Sequence, residues 1–498
     1  METELIYDTV TRCVSAWKEE MTREETSELI IPDSMPDAAA VLDTLGIVYI
    51  RSKDVQAGKC RIEGLLKARI LYRPEDAETV QVLSSELPFS FTAENAAVSA
   101  GDFITPQMKL IRAETRILNS RKLQLRAEIA CTVEGYAQEE RSFPVDTRLP
   151  DMELLKTETA LECITACTTK TFVTTDELTL PSASPTVGAV LGYQFSSHFE
   201  SIKQIQGKAV VQGAHEIRIL YVSDKDPMPR MEHFTAAFSQ IVDAPDEEIV
   251  FETVQLMPIE SYLEVEPSEA GAHVFSLEIH ISAACLFHTA HRLPIVSDAY
   301  SIHHPCTLEY QTVRNPTDRR CLWARDALRE EIDLPYAADR CVYSRAEAKN
   351  LTTEDNTLHM ALVCHLVFIT ESGALFSVNR TLPVEYGIGE VDTECMRWAE
   401  PQLSDPEVTV RGDKADIRLP WEVQGDCWCN TETRLVSGIV VEEEKPLFDR
   451  PASIVMVRRG ERSLWDIAKR YGSRIVEIEA ANGDAADGDK LLLIPHVR

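Results

Sequence analysis

An internal repeat of about 150 residues constrains the fold of this chain more than any other feature. The segment Glu28–Leu42 (ELIIPDSMPDAAAVL) aligns without gaps with Glu177–Leu191 (ELTLPSASPTVGAVL). At the same offset, Lys59–Tyr72 (KCRIEGLLKARILY) aligns with Lys208–Tyr221 (KAVVQGAHEIRILY), and both copies end in Arg-Ile-Leu-Tyr. The chain is therefore predicted to consist of tandem units with a common fold.

Later segments and a third, more divergent copy support this division. Gly64 corresponds to Gly213, and four alternating residues of the first copy correspond to four of the second: Leu125, Ala127, Ile129 and Cys131 with Phe275, Leu277, Ile279 and Ile281. In the third copy Glu331–Pro335 (EIDLP) replaces ELIIP, and His365–Gly373 (HLVFITESG) resembles the RILY segment and its turn. Its alternating late residues are Ile417, Leu419, Trp421 and Val423.

The residue pattern of each copy is typical of β-structure. Apolar and polar residues alternate with a period of two, which indicates strands with one buried face. Turn-rich segments such as RPEDAE and SDKDPMPR separate the strands. We predict a mainly β fold, in which three β-rich units, each a small sandwich or barrel-like module, precede a small α+β module.

Composition excludes several classes of function. The 81 acidic and 50 basic residues give a formal net charge of −31, which disfavours binding to nucleic acid or to anionic membranes. No segment approaches the roughly 18 consecutive apolar residues of a membrane span. Thirteen cysteines without a CxxC pair indicate reduced, mostly buried thiols.

The first 24 residues show apolar residues at helical spacing. The pattern consists of residues at helical spacing, which predicts an amphipathic helix: Ile6, Val10, Cys13, Val14, Trp17 and Met21. The segment carries acidic residues where a signal peptide carries basic ones. We therefore expect the protein to stay in the compartment in which it is made.

The C-terminal segment has a different pattern. Val455 and Val457 alternate as in a short strand, Ser463 is suited to cap a helix, and Gly472 is suited to end it. IVEIEAAN predicts a second short helix, and Leu491–Ile494 a second strand. From residue 454 onward the segment holds eight basic and seven acidic residues, so it is nearly neutral beside a strongly acidic remainder.

Strand–helix–helix–strand with the pattern GxxxLWxIAxxYG resembles the LysM module. The resemblance implies a ligand groove between the loop Gly460–Leu464 and the loop Asn482–Asp487. The usual Gly-Asp-Thr-Leu-Trp is here Gly-Glu-Arg-Ser-Leu-Trp, with Glu461 and Arg462 in place of a single aspartate. This change affects the loop that family members use to bind N-acetylglucosamine polymers.

Three such repeats before one LysM module resemble the SPOCS-domain spore coat assembly proteins of spore-forming Firmicutes. The corresponding division is an N-terminal helix over 1–24, SPOCS-like repeats over 25–150, 151–310 and 311–445, a linker over 446–452 and LysM over 453–498. The resemblance implies a mother-cell protein at the forespore surface that helps the coat to encase the spore. It also implies a partner, the coat basement-layer ATPase SpoIVA, with LysM as the docking module and other coat proteins as further partners.

We expect a non-enzymatic assembly scaffold without cofactor, because the chain lacks a P-loop, GxSxG, HExxH and GxGxxG. The expected partner-binding residues of the LysM segment are Arg462, Ser463, Leu464, Trp465, Lys469, Arg470, Asn482 and Asp484. Trp465 is expected to serve both the module's core and its contact surface. Two alternatives stay open: a peptidoglycan-binding protein of the cell wall or spore cortex, and a wall hydrolase with a β-rich catalytic part.

One group of histidines is a candidate metal site. His280, His288, His291, His303 and His304 lie close in sequence, with Cys285 and Cys306 nearby. Zinc requires about four converging ligands. In a strand, residues three apart point to opposite faces, so His288 and His291 would not converge. We therefore expect no metal site.

Overall fold

The computed structural model describes residues 5–181, 184–267, 273–390, 396–442, 454–460, 462–483 and 491–495. The expectation of a mainly β fold is confirmed, since most of these residues lie in strands and only two short helices occur among them. Neither helix is long or apolar enough to cross a membrane.

The strands form three consecutive groups, which we call the first, second and third units. The first unit contains β1 Leu5–Ile30, β2 Ala38–Gln56, β3 Lys59–Pro74, β4 Gln81–Glu94, β5 Phe103–Asn119 and β6 Lys122–Thr147. The second contains β7 Met152–Thr179, β8 Val187–Ile205, β9 Lys208–Ser223, β10 Arg230–Asp243, β11 Ile249–Pro267 and β12 His273–Ser301. The third contains β13 Cys306–Ala338, β14 Arg340–Glu354, β15 Thr357–Ile369, β16 Leu375–Gly387, β17 Met396–Trp398, β18 Gln402–Leu403 and β19 Glu407–Val441.

Each unit pairs its strands in the same order. The first strand pairs with the last, the last with the fifth, and the second, third and fourth form a separate three-stranded sheet. In the third unit the short strands β17 and β18 take the place of the fifth strand. The first two units join in one six-stranded sheet, where β1 meets β7 at Cys13 and Ile164.

The two sheets of each unit enclose its own core. The alternating residues predicted to point inward do so: Leu125, Ala127, Ile129, Cys131, Phe275, Leu277, Ile279, Ile281, Ile417, Leu419, Trp421 and Val423 are all buried. They pack against alternate residues of the central strand of the three-stranded sheet, such as Ile70 and Tyr72 in the first unit. The period-two pattern therefore identified the core faces correctly.

The repeated glycines have a steric reason. Gly64 on β3 lies opposite Phe89, whose ring would be 2.3 Å from a Cβ atom at position 64. Gly213 on β9 lies opposite Phe238 in the same way, at 2.5 Å. Only glycine leaves room for the aromatic ring to lie across the strand at these positions.

The prediction of an N-terminal helix over residues 1–24 is wrong, since β1 runs from Leu5 to Ile30 and pairs with β6 along its whole length. Register shifts between Ile6 and Tyr7 and between Ser15 and Trp17 interrupt its period-two alternation. The interruption produced the three- and four-residue spacing that we interpreted as helical. Trp17 packs on Gly135 of β6, so tertiary contacts determine the strand.

The structure also places two predicted boundaries differently. β1 belongs to the first unit by its pairing, so that unit begins at or before Leu5 rather than at residue 25. β13 begins at Cys306, so the strands of the third unit start before residue 311. The predicted linker over 446–452 lies outside the described residues.

The three units pack around a common apolar cluster. Their three-stranded sheets contribute residues from the faces that point away from each unit's own core, and Val80, just before β4, joins them. The residues buried together are Leu42, Leu45, Leu71, Val80, Leu191, Leu220, Tyr343, Val367 and Leu375. Leu71, Leu220 and Val367 hold equivalent positions on the central strands β3, β9 and β15. The RILY strand is therefore buried on both faces, by its own unit and by its neighbours.

Equivalent polar residues connect each unit to the next. Arg69 of the first unit lies over the ring of Tyr193 in the second, 5.9 Å from its centroid. The equivalent Arg218 places its Nε 3.2 Å from Asp405 of the third unit. The equivalent His365 places its Nδ1 3.4 Å from Asp43 of the first unit. Each contact leads from one unit to the next, and the third leads back to the first unit, so the series forms a closed ring.

The contact from the third unit to the first contains a buried ion pair. Arg345 donates from Nε and Nη2 to the two carboxylate oxygens of Asp43, at 2.6 and 2.8 Å, and both side chains are at most 3% exposed. Tyr343 donates its hydroxyl to Asp43 at 2.9 Å, and Glu347 also accepts from Arg345. Burial alone would raise the pKa of Asp43, but the Arg345 charge and hydrogen bonds hold it well below its usual value.

We predict that Arg345→Met lowers the free energy of unfolding by about 3–5 kcal/mol, because Asp43 would remain buried without its counter-charge. Urea denaturation at neutral pH measures this change. The matched control is Arg314→Met, which breaks a pair with Glu432 whose side chains are 75% and 56% exposed, and should change stability little. Equal effects of the two substitutions would contradict the prediction.

A buried histidine in the second unit provides a pH test of the fold. His215 is fully buried between the hydroxyls of Thr174 and Ser197, at 3.1 and 2.8 Å, and burial lowers its pKa to about 4. Between pH about 6.5 and about 4, the unfolded chain binds a proton at this residue that the folded chain does not. His215 should therefore make the protein less stable as the pH falls through this window.

Urea denaturation of the protein and of His215→Gln at pH 7, 5.5 and 4.5 tests this prediction. The variant should lose less stability than the parent between pH 7 and 4.5, whatever its stability at pH 7. Parallel pH profiles for the two proteins would show that His215 does not contribute.

Candidate functional site

The C-terminal segment forms the predicted strand–helix–helix–strand unit, which we call the terminal module. It consists of β20 Ile454–Arg458, α1 Leu464–Tyr471, α2 Ile475–Asn482 and β21 Leu491–Pro495. β20 and β21 pair antiparallel. Ser463 caps α1 by accepting from the Asp466 N–H at 3.1 Å, and Gly472 ends α1 with φ 60°, as the sequence predicted.

The core of the terminal module includes residues of the second unit. Ile467, Ala468 and Ile478 of the two helices pack on alternate residues of β20 and β21. Tyr300, near the end of β12, and Ile302, just after it, are buried in the same cluster. The three units, which we call the body, therefore complete the core of the terminal module.

Trp465 and Lys469 both contact one carboxylate of the second unit. The indole N–H of Trp465 donates to Asp298 Oδ2 at 2.7 Å, and Lys469 Nζ lies 2.6 and 2.8 Å from the two Asp298 oxygens. Trp465 is 8% exposed, and its ring meets Tyr300 edge-on at 4.9 Å between centroids. These two predicted partner-binding residues are thus occupied by a contact within the chain.

The other predicted site residues are spread over the module. Arg462 and Arg470 are both exposed. Arg462 donates to the Arg458 carbonyl at 2.9 Å, and the guanidinium carbon of Arg470 lies 5.9 Å from the centroid of the Tyr471 ring. Ser463 is the helix cap, and Leu464 is partly buried against the module's core. Asp484 lies outside the described residues.

Asn482 holds the end of α2 against β21. Its amide donates to the Ile478 and Leu493 carbonyls at 2.6 and 2.7 Å, and its oxygen accepts from the Leu493 N–H at 2.7 Å. These three bonds use both ends of the side-chain amide. The structure therefore gives Asn482 a structural role within the module.

Sequence reasoning missed the residues of the body that hold the module. Besides Asp298 and Tyr300, Asp151 and Glu153 face Arg474, at 3.7 and 3.3 Å. Tyr300 donates its hydroxyl to the Ser473 carbonyl at 2.7 Å. Nothing in the local pattern of β12 distinguishes Asp298 from the many other acidic residues, because its role depends on contacts about 170 residues away along the chain.

The histidines of the second unit lie along β12 and the turn after it. His280 Nε2 is 2.6 Å from Glu278, and the half-buried His288 packs on Phe251. His291 lies eleven positions after His280 along the strand, which corresponds to roughly 36 Å. Within the part of the chain that is described, no three His, Cys, Asp or Glu side chains are grouped so that they could hold a metal ion.

Comparison with known families identifies one segment of the chain. The family model described as SipL, SPOCS domain, matches residues 37–118, which extend from the start of β2 almost to the end of β5. The chain therefore contains a SipL-like SPOCS domain, and this domain relates it to proteins of sporulation or the spore coat. No curated protein and no solved structure matches the chain.

We predict that Asn482→Ala destabilises the terminal module locally by about 1–3 kcal/mol, because two carbonyls and one N–H lose their partners. Hydrogen–deuterium exchange of the amides in Leu491–Pro495 should become faster. Val476→Ala, at a residue that is 72% exposed on the same helix, is the control and should leave this exchange unchanged. Unchanged exchange in Asn482→Ala would show that Asn482 does not hold β21.

Proposed function

We propose that the protein is a non-enzymatic scaffold that helps the spore coat to encase the forespore. The observation that carries the proposal is the SPOCS-domain match over residues 37–118. The strands of that segment lie within a pairing order that recurs in two further segments of the chain. We infer that all three units are SPOCS-type repeats, as in the clostridial protein SipL and, more distantly, in SpoVID.

The terminal module is proposed to be a LysM module that docks the scaffold onto SpoIVA, the ATPase of the coat basement layer. Its order of elements and its helix caps support the LysM assignment. The altered loop at Glu461 and Arg462 favours a protein partner over a glycan. On this proposal the protein acts in the mother-cell cytoplasm at the forespore surface, and ATP hydrolysis belongs to the partner.

The exposed Arg462 and Arg470 provide the basic charge by which the module would meet an acidic partner surface. We predict that the double variant Arg462→Glu and Arg470→Glu captures purified SpoIVA at least about tenfold more weakly than the parent, because two attractive charges become repulsive. Capture by the full-length chain at several salt concentrations measures this effect.

Two controls make this test specific. Arg329→Glu reverses an exposed charge on β13 of the third unit and should leave capture unchanged. Sedimentation with purified cell wall tests the peptidoglycan alternative in the same preparations. Failure of the parent to capture SpoIVA, together with strong sedimentation with cell wall, would replace the proposal by glycan binding.

A further inference from the structure

The strongest contact between the terminal module and the body converges on one carboxylate. Asp298 accepts from the Trp465 indole N–H, from Lys469 and from the Tyr310 hydroxyl, the last at 2.9 Å. The Lys469 bond is charge-assisted, and such bonds are about twice as strong as bonds between neutral groups. The module therefore binds a carboxylate with an indole N–H and an ammonium group placed side by side on one face of α1.

An aromatic ring completes this arrangement. Tyr300 lies two residues after Asp298, so both side chains project from the same face of β12. Its ring meets Trp465 edge-on, and its hydroxyl reaches the Ser473 carbonyl just after α1. The face of α1 thus recognises an extended segment in which a carboxylate precedes an aromatic residue by two positions.

We propose that a protein partner displaces this contact between the terminal module and the second unit. The partner presents the same chemistry as the second unit does: a carboxylate with an aromatic side chain two residues further along an extended strand. The inference rests on the proposed docking role of the terminal module. While the module lies on Asp298, Trp465 is buried and the Lys469 ammonium is already paired, so neither is available to a partner.

Charge supports a partner of this kind. The module holds one more basic than acidic residue, whereas the remainder of the chain is strongly acidic. At the edge of the contact, Arg474 faces Asp151 and Glu153, so further acidic groups of the second unit lie beside the module. An acidic partner segment would compete for the same groups, since a second carboxylate satisfies Trp465 and Lys469 as well as Asp298 does.

The experiment separates release of the module from partner capture. Asp298→Ala should speed hydrogen exchange of the amides in 466–473 by about tenfold to a hundredfold, which corresponds to the loss of hydrogen bonds to a charged group. The same variant should capture purified SpoIVA more tightly than the parent, because the competing contact is gone. Glu158→Gln, which removes one exposed negative charge from β7, is the matched control and should change neither measurement.

A second variant tests the chemistry of the partner. Lys469→Met should also speed exchange in 466–473, but it should weaken capture, because the group that holds the partner's carboxylate is lost. Tight capture by Lys469→Met would overturn the inference, as would unchanged exchange or unchanged capture in Asp298→Ala. If the parent captures SpoIVA and Asp298→Ala captures it equally, the inference fails while the docking role stands; if none of the proteins captures it, both fail.

Discussion

The buried ion pair between Asp43 and Arg345 lies at the centre of the contact between the third unit and the first. Two charges at this depth are costly to remove from water, and the cost is offset only when each group finds its partner and further hydrogen bonds. Tyr343 and Glu347 supply those bonds. Any packing of the units that kept Asp43 buried but separated it from Arg345 would leave the carboxylate without this counter-charge, so the pair favours one arrangement of the three units over others.

The three central strands β3, β9 and β15 are packed in the same way, with residues buried on both faces. Each supplies one set of alternate residues to its own core and, from the opposite face, one buried residue (Leu71, Leu220 or Val367) to the cluster shared by all three units. The first two contacts between units use an arginine stack and an arginine–aspartate pair, and the third uses the buried pair. The pairing order is thus common to the units, while the polar contacts between them differ.

The pattern of residues predicted the strands well, because a strand with one buried face shows a direct alternation of apolar and polar residues in the sequence. It predicted the helices and caps of the terminal module for a similar reason, since Ser463 and Gly472 act locally. The N-terminal segment was misassigned because register shifts in β1 imitate helical spacing. The contacts between units, and the role of Asp298, could not be predicted, because they join residues far apart in sequence that carry no local signal.

The direction of the contacts between units has a consequence for higher assembly. A head-to-tail contact repeated between identical molecules forms an open filament unless its rotation closes, but here the third contact returns to the first unit and the series ends within one polypeptide. The surfaces that make these contacts are occupied within one molecule and do not link one molecule to another. Any larger assembly of this chain must therefore use surfaces other than these three contacts.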